Sequence, residues 1–216
     1  MENWLMLLLL AIAFTGKAVV VSAAAAAYES PQFRVVHLES DFEIRLYMEI
    51  SWMTALVRGT SFENSTKRGF HRLYQYLQGA NRNSTRFFMT KPVLTSIIPS
   101  QRGGSPSSYI VRYYLPAEYN NKSPPPPSAE LNLQLDKWKS HCIAVRKFSG
   151  YARDDNVEKE KDALGSSLGK RLMQGVDQNQ YYNYSIAQYN ASKHPTGRIN
   201  EVWIDVSGFA DEGCPV

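Results

Sequence analysis

The sequence predicts an α+β domain built from two βαββ units whose sheets pair. Three observations carry that reading. Short runs alternate between apolar and polar residues, two longer stretches repeat their apolar residues at helical spacing, and the order strand, helix, strand, strand occurs twice, over about residues 42–116 and 131–207. With 216 residues and 44% hydrophobic content the chain can bury a core, and residues 28–216 fit one domain of ordinary size.

Phe42, Ile44 and Leu46 alternate with Glu43, Arg45 and Tyr47, the period of a strand with one buried face. Phe33 to His37 is its expected antiparallel partner across a turn at Glu39-Ser40-Asp41, and Trp52 to Arg58 reads as a third strand. Thr60-Ser61-Phe62-Glu63 has the spacing of a capping box, so a helix is expected to open there. Phe62, Thr66, Gly69, Phe70, Leu73 and Leu77 then share one face, and Gly79 ends the helix. Strands are expected at Phe87 to Ile98 and Tyr109 to Leu115, parted by the turn-rich stretch Pro99 to Pro106. Pro124 to Pro127 reads as a linker between the halves, because proline lacks the amide hydrogen that a sheet ladder needs; an SH3-type ligand is the other reading. The second half repeats the order, with His141 to Ser149 as strand, Asp154 to Leu172 as helix, and Tyr182 to Tyr189 and Arg198 to Val206 as strands. Val157, Leu164, Leu168 and Leu172 form that helix's apolar stripe, with Asp154, Asp155 and Glu158 at its start and Lys170 and Arg171 at its end, as the helix dipole prefers.

The compartment is read from three features. Trp4 to Phe14 is an apolar run followed by small residues to Ala27, which predicts a secretory signal over residues 1–27; an uncleaved anchor is the competing reading, because MEN carries no positive charge and Lys17 is followed by more apolar residues. Asn64, Asn83, Asn121, Asn183 and Asn190 all stand in acceptor sequons, where chance would give about one or two. A secreted or endomembrane-lumenal glycoprotein is therefore expected. In an oxidising compartment Cys142 and Cys214 point to one disulfide closing a long loop, worth roughly 4 kcal/mol in the chain-entropy model. The alternative is a buried strand thiol at Cys142 and a tail thiol at Cys214.

Several functions are argued against. The net charge of +4 is spread over 24 basic and 20 acidic residues without a basic block, so nucleic acid is not an expected partner. Gly165-Ser166-Ser167-Leu168-Gly169 matches a hydrolase nucleophile pattern, but that chemistry needs a strained strand-to-helix turn and the match falls inside an expected helix. His37, His71, His141 and His194 show no zinc spacing, and His141 and Cys142 would point to opposite faces of a strand. Phe70 and Tyr74 lie four apart on the first helix with Lys67 a turn earlier, as an apolar slot with a cation for a carboxylate would require, though aromatics so spaced also make core.

Taken in order, FEIRLY from Phe42, GFHRLYQYLQG from Gly69 to Gly79, MTKPV from Met89 to Val93, VRKFSGYA from Val145 to Ala152 and RINEVWIDV from Arg198 to Val206 resemble the SOUL/heme-binding protein family, here in a secretory-pathway member, over about residues 29–207. The resemblance implies a distorted antiparallel β-barrel of about eight strands flanked by two helices on its outside, and a tetrapyrrole bound without covalent attachment in a shallow apolar groove beside the first helix. It places Lys67, Phe70 and Tyr74 on groove positions, Gln75 where some members are basic, and His194 in a loop that is basic in some members. Some members have a proposed axial histidine in the E-I-R-x-Y segment, where this chain has Leu46; His194 is then the remaining candidate for iron. The expected function is reversible binding of heme or a related tetrapyrrole by a monomer, as carrier or buffer and not as an enzyme. The alternatives are an enzyme using Glu49, Tyr74 and His194 in the same groove, and an interaction module using Pro124 to Pro127 or a helix face.

Overall fold

A computed structural model describes residues 28–100, 108–172, 183–190, 196–207 and 214–215, with side chains to residue 169 in the second helix. The expected signal at 1–27 and the His194 position lie outside the described residues. Nine strands form one antiparallel sheet: β1 (Phe33–Leu38), β2 (Glu43–Tyr47), β3 (Ile50–Arg58), β4 (Val93–Ile98), β5 (Ser108–Tyr114), β6 (Leu133–Trp138), β7 (His141–Ser149), β8 (Tyr184–Gln188) and β9 (Ile199–Asp205). Helices α1 (Phe62–Leu77) and α2 (Val157–Leu172) follow β3 and β7.

The hydrogen-bonded order is β1-β2-β7-β9-β8-β4-β5-β3-β6. Exchanging β2 with β6, β3 with β7, β4 with β8 and β5 with β9 reverses the order from β2 to β6, so the two halves are related by a pseudo-twofold between β8 and β4, with β1 added at one edge. The repeat is therefore ββαββ, one strand longer than expected, and the strand count is nine because Leu133–Trp138 pairs with β3.

Directly opposed residues of antiparallel strands share a face, which assigns the two sides of the sheet. On the convex side α2 covers Ile44, Ala144, Ile186, Val202 and Ile204, and α1 covers Met53, Ala55, Val57, Val111 and Tyr113. On the concave side Tyr47, Trp52, Tyr114, Ile143 and Trp203 pack together without a helix. The sheet is curled, and where β6 passes into β7 across a tight turn Trp138 packs edge-on against His141, with ring centroids 5.0 Å apart. This is the expected barrel with its helices outside, realised as a curled sheet.

Gly69 is where α1 crosses β5: an added Cβ would stand 2.4 Å from Val111 Cγ2. Gly79, at a φ of 103°, takes the left-handed position just past α1 that side chains avoid.

Four boundaries differ from the sequence expectation. Ser61, not Thr60, caps α1, accepting from Asn64 N at 3.2 Å. Asp154 was expected to open α2, which begins at Val157; its carboxylate instead accepts from Phe62 N and from Ser61 Oγ at 2.7 Å, capping the helix of the other half. Phe87 to Pro92 is not strand: Tyr113 Oη donates to Phe88 O at 2.6 Å and accepts from Thr90 N at 2.9 Å, while Thr90 Oγ1 donates to Tyr114 O at 2.6 Å, so side chains stand where a ladder would. The proline linker is docked, not free: Pro124 and Pro125 are buried, Tyr76 Oη donates to Pro125 O at 2.9 Å and Arg82 N donates to Pro126 O at 2.9 Å. That burial covers two of the four proline rings that an SH3 domain would read. Cys142 and Cys214 are joined in a disulfide.

Candidate functional site

The flank of α1 beside β4 is fixed by one hydrogen bond, shared by Thr66 Oγ1 and Thr95 Oγ1 at 3.0 Å. The opposite flank is fixed by Arg72, which donates to the carbonyls of Leu56 and Leu131. Residues four apart on a helix stand one above the other, so Phe70 and Tyr74 continue the Thr66 row, their ring centroids 6.2 Å apart. Phe70 is half-buried against the convex core and Tyr74 is 46% exposed, so the pair runs from packed interior to open surface. Lys67 is exposed and lies about 100° round from Thr66, next to Tyr74 on the same flank.

Gln75 is exposed and continues the row of Lys67, eight residues earlier; between them, four residues from each, stands exposed His71, which the sequence reading left out. Helical spacing alone was the signal that could have found it. The helix is also electropositive: burial, and then the neighbouring Arg68 charge, hold the Arg72 guanidinium below its ordinary pKa. An anionic group meeting Lys67 would have the Arg68 cation one position further along the helix.

Leu46 lies on β2, half-buried against the core that α2 covers. The remaining motif residues build structure. The Arg45 of FEIRLY and the Glu201 of RINEVW meet on the concave face at 2.8 and 3.1 Å, and Glu201 also accepts from Tyr189 Oη at 2.7 Å and Trp203 Nε1 at 2.8 Å. Arg45 further donates to Tyr47 Oη at 2.9 Å and pairs with Glu43, while Phe33 lies over its guanidinium at 4.2 Å. Burial opposes the Arg45 charge, yet Glu201 and Tyr47 raise its pKa above the ordinary value, so it is ionised throughout.

The competing chemistries find little support in the geometry. The G-x-S-x-G match lies within α2, where Ser167 Oγ donates to Asp41 and to no histidine. His141 faces the concave side and Cys142 the convex side, the latter spent in the disulfide. Glu49 is exposed in the turn between β2 and β3, and no hydrogen bond joins it to Tyr74 among the described residues. Among the described residues no three His, Cys, Asp or Glu side chains converge as a metal site, and no helix is long and apolar enough to cross a membrane. Asn64, Asn83, Asn121 and Asn183 are exposed; Asn190 is half-buried, accepting from Ile199 N at 2.9 Å.

Comparison with known proteins adds two kinds of likeness. Residues 28–205 match the family model described as SOUL heme-binding protein. Heme-binding protein 2 of Homo sapiens is 27% identical over 186 residues, 84% of this chain and 88% of that protein. Heme-binding protein 1 of Xenopus laevis is 28% identical over 162 residues, 75% of this chain and 82% of that protein. Among solved structures the C-terminal domain of EcmrR superposes with a TM-score of 0.51 at 8% identity, covering 76% of this chain and 95% of that one, which is a likeness of fold.

Proposed function

The chain belongs to the SOUL heme-binding protein family, and from that premise we propose that it binds heme or a related tetrapyrrole reversibly, as a carrier or buffer and not as an enzyme. The relatives named above are binding proteins by name, which supports the reading. The single observation that carries it is the flank of α1, where half-buried Phe70, exposed Tyr74 and the Lys67 cation stand together. A porphyrin face gains energy from apolar area, at roughly 25 cal/mol per Å² removed from water, and its propionates gain from nearby cations. Residues 1–27 as a cleaved signal, glycosylation at the exposed sequons and a lumenal or extracellular location belong to the same proposal; the Cys142–Cys214 disulfide is compatible with that location.

Bound heme would bring its own iron; what this chain supplies is a flat apolar contact and charge pairing. Leu46 cannot ligate a metal, so the preference for iron is expected to be small. Titration of the glycosylated mature protein with heme and with iron-free porphyrin, followed by absorbance and fluorescence quenching, should give affinities within about tenfold of each other. Lys67→Glu should weaken both ligands together, by about fivefold or more, because it opposes the propionates without touching the metal. A preference for heme above about a hundredfold, removed by His71→Ala or His194→Ala, would show that the ring is held through its iron instead. No binding of either ring would end the reading.

A further inference from the structure

The concave face of the sheet holds a cleft of about 570 Å³, in the size range of small-ligand sites, on the side of the sheet away from α1. Strands distant in sequence build it: Ile98 of β4, Ile110 and Arg112 of β5, Trp138 at the end of β6, Ile143 of β7 and Trp203 of β9. The walls join these apolar and aromatic side chains to Ser96, Ser140, His141 and Ser185, and the informative residue is Arg112.

Arg112 is 7% exposed, so its charge is largely withdrawn from water and needs carboxylate partners. It has one. Its Nε donates to Asp136 Oδ2 at 3.1 Å, and that same oxygen also accepts from Trp138 Nε1 at 3.0 Å, while Asp136 itself is 35% exposed. Nη1 donates to Ser96 Oγ, a neutral partner, and Nη2 has no hydrogen bond among the described residues. Arg45, on the same face, meets two carboxylates and is held above its ordinary pKa; burial holds Arg112 below its own, with Asp136 only partly offsetting it. The Trp138 ring flanks the Arg112 guanidinium at 5.0 Å, so the cation is presented beside an aromatic surface. At the rim exposed Lys139 and Asp205 carry opposite charges, so Arg112 is the cation held within the cleft, shared with Asp136.

We propose that this concave cleft is a second ligand site, separate from the α1 flank, for a flat aromatic carboxylate whose anionic group pairs with Arg112 and whose ring lies against Trp138. A buried guanidinium with an open edge favours a planar carboxylate over a compact anion, and the indole walls supply the apolar area that such a molecule can bury. The proposal rests on the concave face alone and does not need the tetrapyrrole reading.

Calorimetric titration of the mature protein with 2-naphthoate and with its neutral analogue 2-naphthamide tests it. The acid should bind at least about tenfold more tightly than the amide. Arg112→Met should abolish that preference, and Asp136→Asn, by removing the competing carboxylate, should tighten naphthoate binding, a gain that a misfolded variant cannot give. Lys67→Glu should leave naphthoate affinity unchanged. Equal affinities for acid and amide, no binding of either, no tightening in Asp136→Asn, or loss of naphthoate binding in Lys67→Glu would each overturn the proposal.

Discussion

Arg45 and Glu201 lie 156 residues apart in the chain, and both belong to the segments by which the sequence is placed in its family, yet they are spent on holding strands together. The carboxylate of Glu201 accepts from Arg45, Tyr189 and Trp203 with almost no exposure to water. Removing one member of such a set leaves its partner charged and dry. Glu201→Ala should therefore lower stability by roughly 3–5 kcal/mol in urea denaturation, whereas replacing both charges in Arg45→Met with Glu201→Leu should cost much less than the sum of the single changes. If the single change cost under about 1 kcal/mol, solvent must reach the cluster. At this scale the sequence was readable only in part. The alternation around Arg45 gave its strand, but the period of two does not say whether a face carrying Glu43, Arg45 and Tyr47 meets water or a buried partner on β9. Likewise the spacing on α1 puts Phe70 and Tyr74 on one flank with Lys67 beside them, while Gln75 was admitted by likeness to relatives and not by the spacing.

Each helix is tied to the other half of the chain. Ser61 caps α1 locally, and Asp154, 92 residues beyond Phe62, caps it again from the segment that leads into α2. An N-terminal cap is worth about 0.5–2 kcal/mol, and two caps on neighbouring amides, joined by the Ser61–Asp154 hydrogen bond, should not act independently. Asp154→Ala and Ser61→Ala should each lower the melting temperature, and the double variant should depart from additivity by at least about 0.5 kcal/mol in a double-mutant cycle; strict additivity would mean that the Ser61–Asp154 hydrogen bond contributes nothing. This link was invisible in the sequence, because acids at the start of a stretch with helical spacing already have a sufficient explanation in that helix's own dipole. β6 was missed for a related reason. Leu133-Gln-Leu-Asp-Lys-Trp138 does alternate, but it is an edge strand whose charged residues and nearby prolines read as loop, and only its pairing with β3 makes it sheet. Phe87 to Pro92 erred the other way: it was read as strand, and its hydrogen bonds to the Tyr113 side chain stand in place of a ladder.

Over the whole molecule, buried tyrosines set the response to alkali. Burial raises the pKa of Tyr47, Tyr76, Tyr184 and Tyr189 well above the ordinary value and pushes Tyr114 up to about 12. An unfolded chain ionises its tyrosines near pH 10, so their contribution is complete below about pH 10 and is lost as pH rises toward the folded values. The urea midpoint should be flat to about pH 9.5 and then fall, with the tyrosinate absorbance of the buried tyrosines appearing as the protein unfolds; a complete tyrosinate signal in the folded protein would contradict it. The acid limb has the opposite sign: burial opposes ionisation of Glu43, but Arg45 and Lys147 hold its pKa below the ordinary 4.5, so stability present above that pH is lost below it. The pseudo-twofold has a consequence in time as well as in shape. β2, made early, finds its inner neighbour only in β7, and β3 completes its pairing only with β6. A chain that emerges from the ribosome in sequence order thus carries three incomplete strand edges, those of β2 and β3 until residue 149 is free of the exit tunnel and that of β4, which pairs with β8, until residue 188 is. The first half cannot finish folding on its own, and synthesis must outrun misassociation of those edges with a neighbouring nascent chain.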